Sequence, residues 1–188
     1  MTKNSYDYDF SAMDFSRVCI IGSAGSGKTT FSKSLGQMLS RNVTHLDKIL
    51  WGENWVELTH QQHVDILAPA VEQPNWIIDG LWCKTLEMRY KRATLVIFLN
   101  YKPALCAWRA FCRSVKHTGK QRDDLALGCV EKVNFPFYKY ILNFRKNSLP
   151  KIVDIQQRYP DVQVVTLRNP SQTQQFLTQL QNYIATNN

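Results

Sequence analysis

The sequence predicts an α/β domain built on a parallel sheet, and three observations carry that prediction. Five short apolar runs, residues 18–21, 43–46, 76–79, 94–99 and 162–167, alternate with segments of helical periodicity. The first, third and fourth (VCII, WIID and TLVIFL) show little polar alternation, as strands covered on both faces require. The first run also leads directly into the glycine-rich stretch GSAGSGKTT, residues 22–30, and from there into a helical pattern.

Each element has its own local signal. Helices are expected over residues 28–39, 59–71, 84–92, 103–117 and 171–185. The interval from His117 to Tyr159 has no strand signal. Its second part spaces Val133, Phe137, Tyr140, Ile141 and Phe144 as a helix does, and Pro150 is expected to break or kink that helix. Neither an internal repeat nor a low-complexity segment interrupts this order.

Composition narrows the class. A chain of 188 residues with 44% hydrophobic content can build one packed core. The cysteines (Cys19, Cys83, Cys106, Cys112 and Cys129) are odd in number and scattered, without a C-x-x-C pair or zinc spacing, which points away from a disulfide framework or a metal cluster and toward a reduced, cytoplasmic setting. No apolar run approaches the length of a membrane span, and residues 1–16 lack the apolar stretch of a signal peptide, so export and membrane association are not expected. The formal charge of +8 has two readings, a nucleic-acid footprint or a polyphosphate site lined with arginines. The basic residues concentrate between Lys84 and Lys151 without forming a tract, which favours the second.

Residues 22–30 match the P-loop pattern G-x-x-x-x-G-K-T in full, after a strand and before a helix. The chemistry explains the spacing. Gly22, Gly25 and Gly27 let the backbone curl so that successive N–H groups, with Ser23, Ala24, Ser26 and Thr30, surround one anion at a helix N-terminus. Lys28 is expected to reach the β- and γ-phosphates, and the Thr29 hydroxyl to bind magnesium. The expected ligand is therefore a nucleoside triphosphate. No N-K-x-D guanine signature is present. Arg109 and Arg113 lie four apart on one helical face, and Arg122 follows in the polar loop KHTGKQRDD. Together they are expected to form a closing cover over the transferred phosphoryl group, with residues 114–131 as the lid.

These stretches, taken with HLDKILW (45–51), WIIDGLWCKTLEMR (76–89), RATLVIFLNYKP (92–103), GKQRDDLALGCVEK (119–132) and LRNPSQTQQFL (167–177), resemble the bacterial topology-modulation proteins, small P-loop proteins related to adenylate kinase and shikimate kinase. The resemblance covers residues 17–177. It implies a P-loop NTPase three-layer fold with a five-stranded parallel sheet, the P-loop strand central, a helical lid insertion and an adenine pocket. Residues 1–16 would be an N-terminal extension and 17–188 one kinase-like domain. The kinship places Arg109 and Arg113 by the adenine or phosphates, and Arg168, Asn169 and Pro170 at the adenine wall. The chain departs from the family pattern in two places, with Leu81-Trp82 where Asn-Tyr is usual, and Asn100-Tyr101-Lys102 before Pro103 where the usual pattern has an aspartate.

Asp47 and Asp79 each follow an expected strand at its C-terminal end, where open parallel sheets place ligands. Asp79 is read as orienting magnesium-bound water, and Asp47 as an acceptor-binding residue or general base; the alternative for each is a cap or turn role. Trp51, Trp55 and Trp82 are read as acceptor-pocket walls or as core, and Arg89 as a clamp should the acceptor carry a phosphate. The expected activity is an ATP- and Mg²⁺-dependent phosphotransferase of the nucleotide or small-molecule kinase type. The alternative is an ATP-binding regulator that binds DNA and alters its topology.

Overall fold

The structure is a computed structural model that describes residues 7–120 and 125–187. Five strands, β1 (Arg17–Gly22), β2 (Val43–His45), β3 (Trp76–Asp79), β4 (Leu95–Leu99) and β5 (Gln163–Leu167), form one sheet in the order β2-β3-β1-β4-β5. Every pairing is parallel. The helices are α1 (Lys28–Met38), α2 (Leu46–Ile49), α3 (His60–Val71), α4 (Leu86–Tyr90), α5 (Pro103–His117), α6 (Phe135–Leu142), α7 (Phe144–Asn147), α8 (Leu149–Arg158) and α9 (Pro170–Asn187).

The strand alternation sorts the chain into three layers, because successive side chains point to opposite faces. Val18 and Ile20 of β1 join Ile77, Leu95, Ile97 and Leu99 in a core capped by Phe31 and Leu35 of α1 and Phe176 and Leu180 of α9. Cys19 and Ile21 join Ile78, Val96 and Phe98 in a second core, against Leu67 of α3, Leu86 of α4 and Ile152 and Ile155 of α8. The central strand is thus buried on both sides, which is why its sequence shows no polar alternation.

Two local outcomes differ from the sequence reading. The strand at 43–46 stops at His45, and Leu46 opens the one-turn helix α2, so Asp47 stands in the first turn of a helix rather than at a strand tip. Pro150 sits in the first turn of α8 and begins a helix, since a proline there forfeits no intrahelical hydrogen bond. Residues 7–16 pack against the domain: Phe10 is buried in the first core, Tyr8 meets Phe176 edge-on at 4.9 Å, and Met13 and Phe15 pack beside them.

Candidate functional site

The phosphate loop follows from backbone conformation and packing. Gly25 (φ +77°) occupies the left-handed region, and a Cβ there would stand 2.1 Å from the Cys106 carbonyl oxygen of α5. Only glycine lets the loop lie this close to α5, the helix that carries Arg109 and Arg113. Gly27 (φ +93°) is the N-cap of α1 and has no side chain to cap the helix, which leaves the first-turn N–H groups for an anion. Ser23 and Ser26 are buried, and among the described residues neither hydroxyl has a hydrogen-bond partner. Orphaned buried donors in a curled loop fit a phosphate group.

Lys28 Nζ donates to the Ser23 carbonyl oxygen at 3.0 Å, curling back over its own loop. Burial pulls its pKa down, opposed by the negative charges of Asp79 and Asp47. Its ammonium therefore lies within electrostatic reach of both carboxylates. Asp79, at the C-terminal end of β3, is buried; its Oδ2 accepts from Ser32 Oγ at 2.7 Å and pairs with His45 Nδ1 at 2.8 Å. Asp47 Oδ1 accepts from Trp82 Nε1 at 3.1 Å.

A cavity of about 1280 Å³ joins these groups. Residues 22–30 line it, together with Asp47, Trp51, Trp55, Trp82, Arg109, Arg113 and Pro170. The three tryptophans stand edge to face, with Trp51 at 5.4 Å from both Trp55 and Trp82, and Trp82 packs on His63 at 4.7 Å. Asp79 is set behind the cavity surface, held by Ser32 and His45, and Arg168 and Asn169 lie outside the lining. Asn169 instead accepts from the Gln172 N–H at 2.9 Å near the start of α9. Arg122 lies outside the described residues.

Arg89 is a correction. Its side chain is wholly buried and does not reach the cavity: Nη1 donates to the Gly80 carbonyl at 2.9 Å, and Nη2 to those of Leu81 at 2.5 Å and Trp82 at 3.5 Å. A guanidinium spent on three consecutive carbonyls is a scaffold for the loop after β3, not an acceptor clamp.

The last turn of α5 and residues 125–131 contribute Ser114, Leu125 and Glu131 to the cavity lining. Gly119 N–H donates to the Glu131 carbonyl and Glu131 N–H to that of Lys120, each at 3.0 Å, closing the base of the segment. Its far side rests on the tryptophan wall: Leu125, Ala126 and Cys129 pack on Trp51 and Trp55, and Trp55 Nε1 donates to the Val130 carbonyl at 3.1 Å. Glu131 was not singled out in the sequence, yet it is buried, pairs with Arg113 Nε at 3.1 Å and accepts from Ser114 Oγ at 3.1 Å. An acid 18 residues downstream of its arginine, across a basic loop, leaves no periodic signal.

No protein-family model and no curated protein matches the sequence. The likeness is to solved structures. A shikimate kinase from Acinetobacter baumannii in complex with shikimate matches with a TM-score of 0.58 at 14% identity, over 95% of this chain and 97% of that one. A shikimate kinase from Bacteroides thetaiotaomicron matches with 0.54 at 18% identity, over 90% and 98%. Deoxyadenosine kinase from M. mycoides with bound dATP matches with 0.50 at 14% identity, over 87% and 97%. The five-stranded parallel sheet with β1 at its centre, flanked by helices and opening into a phosphate loop, is the P-loop fold of the adenylate and shikimate kinases.

Proposed function

We propose that this protein transfers the γ-phosphoryl group of ATP to the hydroxyl of a small molecule. The observation that carries the reading is the single cavity whose wall includes both the phosphate loop and Asp47. Phosphoryl transfer is mainly a matter of positioning and charge neutralisation, and the residues are distributed for it. The loop N–H groups and Lys28 hold the β- and γ-phosphates. Arg109 and Arg113, one turn apart on α5, face the same cavity and neutralise charge on the transferred group. The acceptor oxygen forms a bond to the γ-phosphorus as the bond to the β-bridging oxygen breaks, and Asp47 receives the hydroxyl proton. The cover excludes water that would otherwise compete as acceptor.

A bound Mg²⁺ would supply further neutralisation of the polyphosphate charge. Thr29, which lines the cavity, would hold it through its hydroxyl, and Asp79, hydrogen-bonded to Ser32 and His45, would orient its waters.

The structural neighbours, a shikimate kinase and a deoxyadenosine kinase, support a small-molecule acceptor. The test is Asp47→Asn, which should lower kcat by roughly 10²- to 10⁴-fold with ATP affinity nearly unchanged. A kcat within about threefold of wild type removes Asp47 as the base.

A further inference from the structure

We infer that the outward face of α5 and α6 is an adsorption surface for an anionic phospholipid membrane. It lies apart from the cavity and does not depend on the phosphotransferase reading. α5 divides its circumference three ways: Cys106, Ala107 and Ala110 enter the core, Arg109 and Arg113 line the cavity, and Ala104, Trp108, Cys112 and Val115 are exposed. The last four, at i, i+4, i+8 and i+11, fall on one stripe along the helix.

The stripe continues onto α6. The rings of Trp108 and Phe111 are 6.0 Å apart, those of Phe111 and Tyr138 5.7 Å, and those of Tyr138 and Phe135 6.3 Å, so four rings run from one helix to the other. The two end rings are bare, Trp108 at 63% exposure and Phe135 at 74%. On α6, Phe135, Lys139 and Leu142, at i, i+4 and i+7, share one face and are all exposed. A single exposed apolar residue needs no explanation; a contiguous set across two helices marks a contact surface.

Charge selects what it contacts. Lys102 at the start of α5, Lys116 in its last turn, Lys139 among the apolar residues of α6, and Arg145 and Lys146 on α7 are all exposed. Among the described residues from 102 to 153 the sole acid is Glu131, buried and paired with Arg113; Asp123 and Asp124 lie outside the described residues. A second copy of this chain would therefore set cation against cation. A nucleic acid or a folded acidic protein is held by directional hydrogen bonds, and at Ala104, Val115 and Leu142 it would meet aliphatic surface instead. A lipid interface requires only apolar area and positive charge: the rings sit at headgroup level, and the long lysine stems carry their ammonium groups to the phosphates. No helix among the described residues is long and apolar enough to cross a membrane, and adsorption requires only this face.

The experiment is flotation of the full chain with vesicles of phosphatidylcholine, alone or mixed with phosphatidylglycerol. Partition is expected to be about tenfold or more higher on the anionic vesicles. Because a chain of net charge +8 can adhere by charge alone, the rings carry the test. Trp108→Ala/Phe135→Ala should lower partition about tenfold at an unchanged melting temperature, since both side chains are exposed. Lys116→Gln/Lys139→Gln should lower it by a similar factor, whereas Lys33→Gln/Lys91→Gln, which removes the same charge from exposed sites in α1 and after α4, should change it by less than about threefold. No partition onto anionic vesicles, equal losses from the two lysine pairs, or a ring variant that partitions as wild type does overturns the inference. A protein that ignores vesicles but dimerises or binds an oligonucleotide through the same rings overturns it in favour of that occupant.

Discussion

Lys28 carries its charge in a half-buried cradle, where desolvation lowers its pKa against the pull of Asp79 and Asp47. A lysine whose folded pKa lies below its unfolded value of about 10.4 binds fewer protons folded than unfolded. It therefore costs stability at neutral pH, and the cost fades as pH rises from the lowered folded pKa toward the unfolded one. Lys28→Met should consequently raise the unfolding temperature of the ligand-free protein at pH 7. The gain over wild type should shrink at pH 10, and ATP should no longer stabilise the variant. A melting temperature below wild type at pH 7 would contradict the assignment. At this scale the loop residues were legible because their signal is contiguous: nine residues declare both backbone shape and charge. Arg89 and Glu131 were not, because burial of a charge is decided by what the fold brings to it from 7 to 18 residues away.

Elements transmit what single residues set. Because Gly25 lies against the Cys106 carbonyl, the phosphate loop and the arginine-bearing α5 form one packed unit. Gly25→Ala adds a clash at 2.1 Å and a strained positive φ, and should cost about 2 kcal/mol or more, seen as a fall in melting temperature of roughly 4–8 °C. An unchanged melting temperature would mean that the loop does not depend on this approach. Residues 125–131 are tied to the tryptophan wall through Trp55, Leu125 and Cys129. Trp55→Ala should accelerate amide exchange at Asn54, Gly119 and Glu131 by about tenfold while the β1 amides keep their protection. Equal protection in variant and wild type would show a segment held by other contacts. Periodicity identified α1, α3, α5 and α9 well. It missed α2, which is one turn long, and it misread Pro150, whose role depends on whether a helix starts or continues there.

Across the whole molecule, the sheet gathers the C-terminal ends of β1 and β3 beside the phosphate loop, so residues from Gly22 to Leu177 share one cavity. The strand order could be anticipated only through the resemblance to known P-loop proteins, since five apolar runs fit several orders. The first sixteen residues show the limit of motif reading. They match no family pattern, yet Phe10 fills the first core against Phe176 and Tyr183. Phe10→Ala should cost about 3–5 kcal/mol in chemical denaturation. A loss under about 1 kcal/mol would make this segment a dispensable appendage.

Phosphoryl transfer from ATP to a hydroxyl is the central claim, and incubation of the purified protein with γ-labelled ATP, Mg²⁺ and a panel of nucleosides, sugars and ring alcohols tests it directly. Label should appear on one hydroxyl acceptor, and Lys28→Ala should reduce the rate by about tenfold or more in a folded protein. No labelled acceptor despite ATP binding, or wild-type transfer by Lys28→Ala, would contradict it.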